Sequence, residues 1–281
     1  MLGQRSLTAI IGLPIIIAVT LVGGVLFAVV VGFILSVAML EFATALAPRQ
    51  EPAPAPAWLA PGPAQLLWQP PLTYAGVVLV ALLTAAAYNG FDWWAGCLVL
   101  SLFLVLLLLS LLGQVEEALA LWLAIIGGVA YVGLLGTHLI FLRDLHGGRD
   151  WVLLALLGAF ATDTAAYFVG RAIGERRLAP HISPGKTVEG TVGGLLCGAL
   201  AVIALNWLLG PRIDGDQVLG LALLLPLVAV IGDLGESLLK RGAGVKDASG
   251  LVPGHGGFLD RLDSVLFCVP LVYYYVLWVV E

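Results

Sequence analysis

Ten ionisable side chains crowd into residues 233–263 of a chain that is otherwise suited to a lipid bilayer: Asp233, Glu236, Lys240, Arg241, Lys246, Asp247, His255, Asp260, Arg261 and Asp263. Charge beside or inside a membrane segment is expensive and marks a functional site by default. Asp233, Glu236, Ser237 and Lys240 are spaced i, i+3, i+4 and i+7, which aligns them along one stripe of a helix. Asp260 and Asp263 are three apart and share a face of the helix that follows. Gly254-His255-Gly256-Gly257 reads as a flexible turn into that helix, whose first backbone amides can hold phosphate oxygens. Carboxylates on two helices with cations beside them suit Mg²⁺ and a polyphosphate, because Mg²⁺ takes one or two carboxylates and completes its shell with substrate phosphate. Taken singly, each charge reads equally well as a snorkelling or salt-bridged side chain at the membrane edge. The alignment of the whole set favours a site.

A second cluster lies at 163–190. Asp163, Tyr167 and Gly170 share a face of one apolar segment, and Asp163 sits well inside it. A carboxylate there costs about 2.5–3.5 kcal/mol on insertion scales, so it needs a partner or a role. Downstream, Ser183-Pro184-Gly185-Lys186-Thr187-Val188-Glu189-Gly190 contains a Gly-Lys-Thr triplet. A nucleotide-binding P-loop needs a glycine five positions before Gly185, where this chain has Pro180, and a preceding strand. The P-loop reading fails. What remains is a proline-stiffened turn that presents Lys186 and the hydroxyls of Ser183 and Thr187 to an anion.

The elements that must position these residues are membrane helices. The chain is 60% hydrophobic and 11% charged, with a mean hydropathy of +1.04, against about 25% charged in a soluble domain. Apolar runs near or above about 18 residues recur, and the ~10-residue alternation of a membrane barrel is missing. The expected fold is all-α, a polytopic integral membrane protein of about nine spans: 7–22, 24–47, 72–89, 93–113, 117–142, 151–171, 188–209, 217–239 and 259–280. Residues 1–150 form a scaffold of five helices and residues 151–281 carry the cavity on the last four. Arg5 and the run from Leu7 resemble a signal peptide at first sight, but no small-residue cleavage site follows, so these are read as retained helices. A Pro/Ala-rich connector occupies Pro48 to Pro71.

Lys and Arg set the orientation. With the N-terminus inside, ten of them (Arg5, Arg49, Arg171, Arg176, Arg177, Lys186, Lys240, Arg241, Lys246 and Arg261) fall on the cytoplasmic side and three (Arg143, Arg149 and Arg212) outside, which predicts N-in, C-out. Both polar clusters then face the cytoplasm and can build one site. The formal charge of −5 is dispersed and no basic stripe exists, so nucleic acid is not an expected partner. Cys97, Cys197 and Cys268 lack ligand spacing and read as small buried hydrophobes. Glu41 closes the second span, either as an interfacial charge or as a contributor to the site, and His138 reads as a hydrogen-bonded packing residue. Trp58, Trp68, Trp93, Trp94, Trp151 and Trp207 read as interfacial anchors.

The run Ser237-Leu238-Leu239-Lys240-Arg241, then Lys246-Asp247, then Pro253 through Ser264 with Asp260-Arg261-Leu262-Asp263 at its core, closely resembles the signature of the phosphatidate cytidylyltransferase (CDP-diacylglycerol synthase) family. The segments Asp163 to Gly170 and Ser183 to Gly190 are similar to that family too, although Gly185 stands where it often has a second lysine. The motif-bearing resemblance covers about 160–264, and the first five spans match in hydrophobic character alone. It implies transfer of a cytidylyl group from CTP to phosphatidate, release of pyrophosphate and formation of CDP-diacylglycerol at the cytoplasmic face of the cell membrane, by a homodimer with a Mg²⁺ centre and K⁺ as a second cation.

On that resemblance Asp233, Asp260 and Asp263 are the metal carboxylates, with Lys240 and His255 also catalytic. His255 serves equally well as a proton shuttle or as the residue that orients the turn. Substrate contacts fall to Ser183, Lys186, Thr187, Ser237, Arg241, Lys246, Asp247, Gly256, Gly257 and Arg261, with Asp163 and Tyr167 beside them. The chemistry agrees: phosphatidate already carries a nucleophilic phosphate oxygen, so no activated Ser or Cys is needed, and catalysis reduces to positioning and charge stabilisation. Two rivals predict other patterns. A secondary transporter would spread its charges near the midplane, and a polyprenol kinase would release CDP in place of pyrophosphate. The Asp-rich pattern of a CDP-alcohol phosphotransferase is not found.

Overall fold

The computed structural model describes residues 12, 14–46, 71–112, 115–116, 118–210, 213–249 and 257–281. The chain is an α-helical membrane protein. Among the described residues, seven helices are long and apolar enough to cross a bilayer. In chain order the helices are α1 (Gly24–Leu46), α2 (Pro71–Asn89), α3 (Phe91–Leu111), α4 (Ala118–Asp144), α5 (Gly148–Ile173), α6 (Val188–Leu209), α7 (Gly215–Gly242) and α8 (Leu259–Val280). Among the described residues α2 is a shorter apolar helix, and residues 14–22, ahead of α1, are helical as well. The expected spans from 24–47 onward match these helices to within a few residues, and the start of the expected 7–22 span lies outside the described residues. The 48–70 connector, with Trp58 and Trp68, lies outside the described residues.

The backbone divides into two compact units, Met1–Ile140 with Gly242–Arg261, and Phe141–Arg241 with Leu262–Glu281. In the first unit α1, α2 and α4 meet at Met39, which is fully buried, and α3 packs on α2 and α4. A side chain at Gly128 would collide with the Met39 sulfur and the Phe42 ring, so glycine lets α4 close on α1. Within α4 the turns from Val129 to Leu134 widen into a π-helix, and Tyr131 there stacks on Phe42 with ring centroids 5.7 Å apart. Trp94 corrects its expected role. It is buried, and its indole N–H donates to Thr137 Oγ1 at 2.9 Å. His138 is buried as expected, with Nδ1 donating to the Leu134 carbonyl at 2.8 Å and its ring edge-on to Trp94.

In the second unit the most extensive packing is α5 against α6. Its cause is a row of glycines, Gly190, Gly194 and Gly198, spaced four apart on α6. A Cβ at Gly190 would lie 2.7 Å from the Ala166 carbonyl, and one at Gly194 would lie 2.7 Å from Ala166 Cβ and 2.9 Å from the Thr162 carbonyl. Small residues let membrane helices bring their backbones together and gain dispersion energy where lipid offers no hydrophobic drive. Trp151, also expected at the interface, is instead a core residue of α5, whereas Trp93 and Trp207 are exposed as expected. Of the cysteines, Cys268 is buried, Cys97 half-buried and Cys197 exposed, so the buried reading holds fully for Cys268 alone.

The all-helical expectation needs one addition. Residues Arg177–Ala179 and Ser183–Thr187 form an antiparallel hairpin, β1 and β2, with Arg177 opposite Thr187 and Ala179 opposite Ser183. Pro180 and Pro184 cannot donate to a helix ladder, which stops α5 from continuing into α6. Replacement of Gly194 by Leu is expected to push α5 and α6 apart and to destabilise the protein by about 1–3 kcal/mol. Thermal unfolding in detergent checks this, and an unchanged midpoint would contradict the packing account.

Candidate active site

Four elements of the second unit carry this group of polar side chains: the far half of α5, the β1–β2 hairpin that leads into α6, the last turns of α7, and the turn at 263–264 in α8. Glu189, in the first turn of α6, accepts the backbone N–H groups of Glu175 (3.0 Å) and Arg176 (3.2 Å), which ties the entry to the hairpin onto the helix start. Thr187 is the N-cap of α6: its Oγ1 accepts the Gly190 N–H at 3.1 Å and is buried. That bond gives the Thr187 hydroxyl a capping role. Between these anchors β2 carries Ser183, half-buried, and Lys186.

The hairpin and α7 meet through charge. Lys186 Nζ lies 2.7 Å from Asp233 Oδ2, with both side chains about a quarter exposed at 22% and 27%. Arg241, on the last turn of α7, donates through Nε to the Ile182 carbonyl at 3.2 Å. On the same stripe Glu236 is fully buried and paired with Lys240, Nζ to Oε1 being 2.9 Å. An i, i+4 pair on a surface helix contributes a few tenths of a kcal/mol, but a buried carboxylate is held by its partner far more tightly. The sequence places Glu236 on the stripe without giving it a role. The structure makes it the counter-ion that fixes Lys240.

The Asp263 end of α8 completes this group. Gly232 is buried at the point where α7 and α8 touch. A Cβ there would lie 2.7 Å from the Asp263 carbonyl and 2.8 Å from the Phe267 ring. That close approach brings the Asp263 carboxylate within electrostatic reach of Asp233 and Asp163, with Lys240 near it as a cation. Residues 263 and 264 form a turn that interrupts α8. Ser264, buried in that turn, donates through Oγ to Asp163 Oδ2 at 2.8 Å, which supplies the partner that the depth of Asp163 demanded. Asp163, Lys186, Asp233, Glu236, Lys240 and Asp263 thus sit together in one unit, drawn from four elements. Ser237 is half-buried on the same α7 stripe. Tyr167 is exposed and accepts a hydrogen bond from Arg171 at 3.0 Å.

The remaining residues of the signature belong to the first unit. Asp260 accepts the N–H groups of Gly257 (2.7 Å) and Ala248 (3.1 Å). Lys246, Asp247 and Arg261 are exposed. His255 and Gly256 lie outside the described residues. Glu41, expected at the interface, is instead completely buried and accepts hydrogen bonds from Ser249 Oγ, Phe258 N and Leu259 N. Nothing in the local sequence of α1 signalled this, because the donors come from more than 200 residues away.

Among the described residues no group of three His, Cys, Asp or Glu side chains forms a ready-made metal cage. The donor set still fits a magnesium ion, which prefers one or two carboxylates and leaves the other positions to phosphate and water. Substitution of Thr187 by Ala is expected to cost about 1 kcal/mol of stability through the lost cap, with Thr187→Ser close to wild type. Melting curves measure this, and a Thr187→Ala protein that melts normally would remove the capping role.

Known proteins can now be set beside this geometry. Residues 3–279 match the model of a family described as the cytidylyltransferase family, so the likeness extends well beyond the motif-bearing 160–264. A phosphatidate cytidylyltransferase of Staphylococcus aureus (strain COL) is 42% identical over 144 residues, 51% of this chain and 55% of that protein. One of Haemophilus influenzae is 44% identical over 145 residues, 50% of each chain. The chain matches these curated relatives over about half their length. With the family model spanning nearly every residue and the polar cluster built from the same motifs, the chain belongs to the cytidylyltransferase family.

Proposed function

We propose that this protein transfers the cytidylyl group of CTP to phosphatidate, giving CDP-diacylglycerol and pyrophosphate. A phosphate oxygen of phosphatidate attacks the α-phosphorus of CTP, the bond from that phosphorus to the oxygen bridging to the β-phosphate breaks, and that oxygen leaves with pyrophosphate. The observation that carries the reading is the pairing of Lys186 and Asp233 beside Asp163, Asp263 and the Glu236–Lys240 pair. Such a group suits two polyanions that must approach each other, because it offers cations for the phosphates and carboxylates for a metal. The relatives named phosphatidate cytidylyltransferase support the same substrate pair.

Each residue has a task in this reading. Lys186, Lys240 and Arg241 neutralise phosphate charge, and Glu236 holds Lys240 in place for that work. Ser183 and Ser237 donate hydrogen bonds, Asp163 orients Ser264, and Tyr167 lines the lipid side. Lys246, Asp247, Gly256, Gly257 and Arg261 contribute substrate contacts as the motif assigns them. Mg²⁺ would be held by Asp233 and Asp263, with Asp260 assigned to the metal by the motif as well and K⁺ as a second cation. When bound, Mg²⁺ supplies positive charge to the phosphates and to the departing pyrophosphate. The acyl tails stay in the bilayer while the headgroup enters a cavity on the cytoplasmic side of the cell membrane. The ten-to-three distribution of Lys and Arg supports that orientation, and the resemblance supports a homodimer.

The test is direct. Purified protein with phosphatidate, Mg²⁺ and labelled CTP is expected to yield a labelled CDP-lipid and one pyrophosphate per turnover. Release of CDP with a phosphorylated lipid would point to a kinase, and solute uptake into liposomes without CTP turnover to a transporter. Asp233→Asn is expected to lower kcat by about a hundredfold or more in protein that still folds and inserts. Near-normal turnover in that variant would end the role given to Asp233.

A further inference from the structure

The proposed chemistry makes no use of Glu41, yet few side chains in the protein are as fully enclosed. It is 0% exposed, 217 positions before Phe258 in sequence, and it lies on α1, an otherwise apolar helix. Its Oε1 accepts Ser249 Oγ at 2.5 Å and the Phe258 N–H at 3.1 Å, and its Oε2 accepts the Leu259 N–H at 2.8 Å. Gly257 presses on the same carboxylate: a Cβ there would come within 2.5 Å of Oε2 and 2.7 Å of Oε1. The next residue that matters, Asp260, accepts Gly257 N at 2.7 Å and Ala248 N at 3.1 Å. Two carboxylates, one from α1 and one from α8, therefore hold residues 248–249 against residues 257–259.

A buried carboxylate is tolerated only when donors replace the water it has lost. The donors here are one hydroxyl and two backbone amides, and the amides are those that open α8. Those amides have no partner within the turn Leu259–Leu262 that opens α8, so Glu41 acts as a cap supplied from another helix. Packing alone does not explain it. A leucine of similar size would fit an apolar helix better and would leave the Phe258 and Leu259 amides unmet.

We propose that Glu41 is a positioning residue that fixes the first turn of α8 and so aims the Asp260 carboxylate. The consequence for activity rests on the reading of Asp260 as a metal carboxylate. Supporting groups of this kind typically alter metal affinity or activity by about 10–100-fold when removed. Glutamine is the informative replacement. It keeps the size of the side chain but offers one carbonyl oxygen, and it turns an NH₂ towards an amide that needs an acceptor.

The experiment compares wild type, Glu41→Gln and Ser249→Ala as full-length protein in lipid-detergent micelles, by amide hydrogen exchange and by the Mg²⁺ dependence of CDP-lipid formation. Glu41→Gln is expected to speed exchange at Phe258 and Leu259 about tenfold or more, with the change confined to 248–260. It should also raise the Mg²⁺ concentration for half-maximal rate by about tenfold at nearly unchanged KM for CTP. Ser249→Ala, which removes one donor and leaves both amide bonds, should shift the same two readouts in the same direction by a few-fold. It decides the question if Glu41→Gln fails to insert. Wild-type exchange rates in both variants would overturn the clamp. Faster exchange with an unchanged Mg²⁺ requirement would leave Glu41 purely structural and overturn the positioning role. A wild type that makes no CDP-lipid would defeat the proposed function while the exchange data still judge the clamp.

Discussion

A carboxylate among membrane helices must be met atom by atom, because no water is at hand to make good a missing donor. Much of this molecule follows from that demand. Asp163 takes the Ser264 hydroxyl, Asp233 takes Lys186, Glu236 takes Lys240, and Glu41 takes two amides and a serine. Each of these bonds joins residues that the chain alone would not hold at that separation, apart from the Glu236–Lys240 pair within one helix. The polar contacts act as fasteners in a protein whose apolar surfaces are indifferent to whether they touch lipid or each other.

Glycine sets the distances at which those fasteners work. The α5–α6 contact is close enough that no Cβ fits at Gly190 or Gly194, and α7 meets α8 at Gly232, one residue before Asp233. Backbone contact of this kind leaves little slack: Asp163 and Asp233 ride on helices, and Asp263 sits in the turn of α8 that packs against Gly232. Sites mounted on helices in this way keep their geometry better than sites on flexible segments.

Much of this was legible in the sequence. Hydropathy alone located the helices, since about 18 apolar residues can hardly be anything else, and the i, i+3, i+4, i+7 stripe on α7 survives with its Lys240 and Glu236 in contact. The depth of Asp163 demanded a partner, although not which one. What the sequence hid was partnership at a distance. Trp94 and Trp151 look like any interfacial tryptophan until Thr137 or the α5 core is seen beside them. Glu41 looks like a helix end because its donors lie at 249, 258 and 259. The hairpin had visible proline breakers but no alternation of apolar and polar residues to announce strands. The Gly190, Gly194, Gly198 spacing names a close contact but not the surface it closes upon.

The bare side of α6 has a consequence of its own. Opposite its glycine row, Val192, Leu196, Leu200, Ile203 and Trp207 are all exposed, so the face of α6 turned away from α5 is apolar along its length. Twenty-two residues reach about 33 Å, close to the ~30 Å of an average hydrocarbon core. A helix that tilts to suit a thinner or thicker bilayer carries β2 at its first turn, and Lys186 with it. Because α6 lies backbone to backbone on α5, such a tilt moves the two helices together, and Lys186 shifts with the helix that carries Asp163.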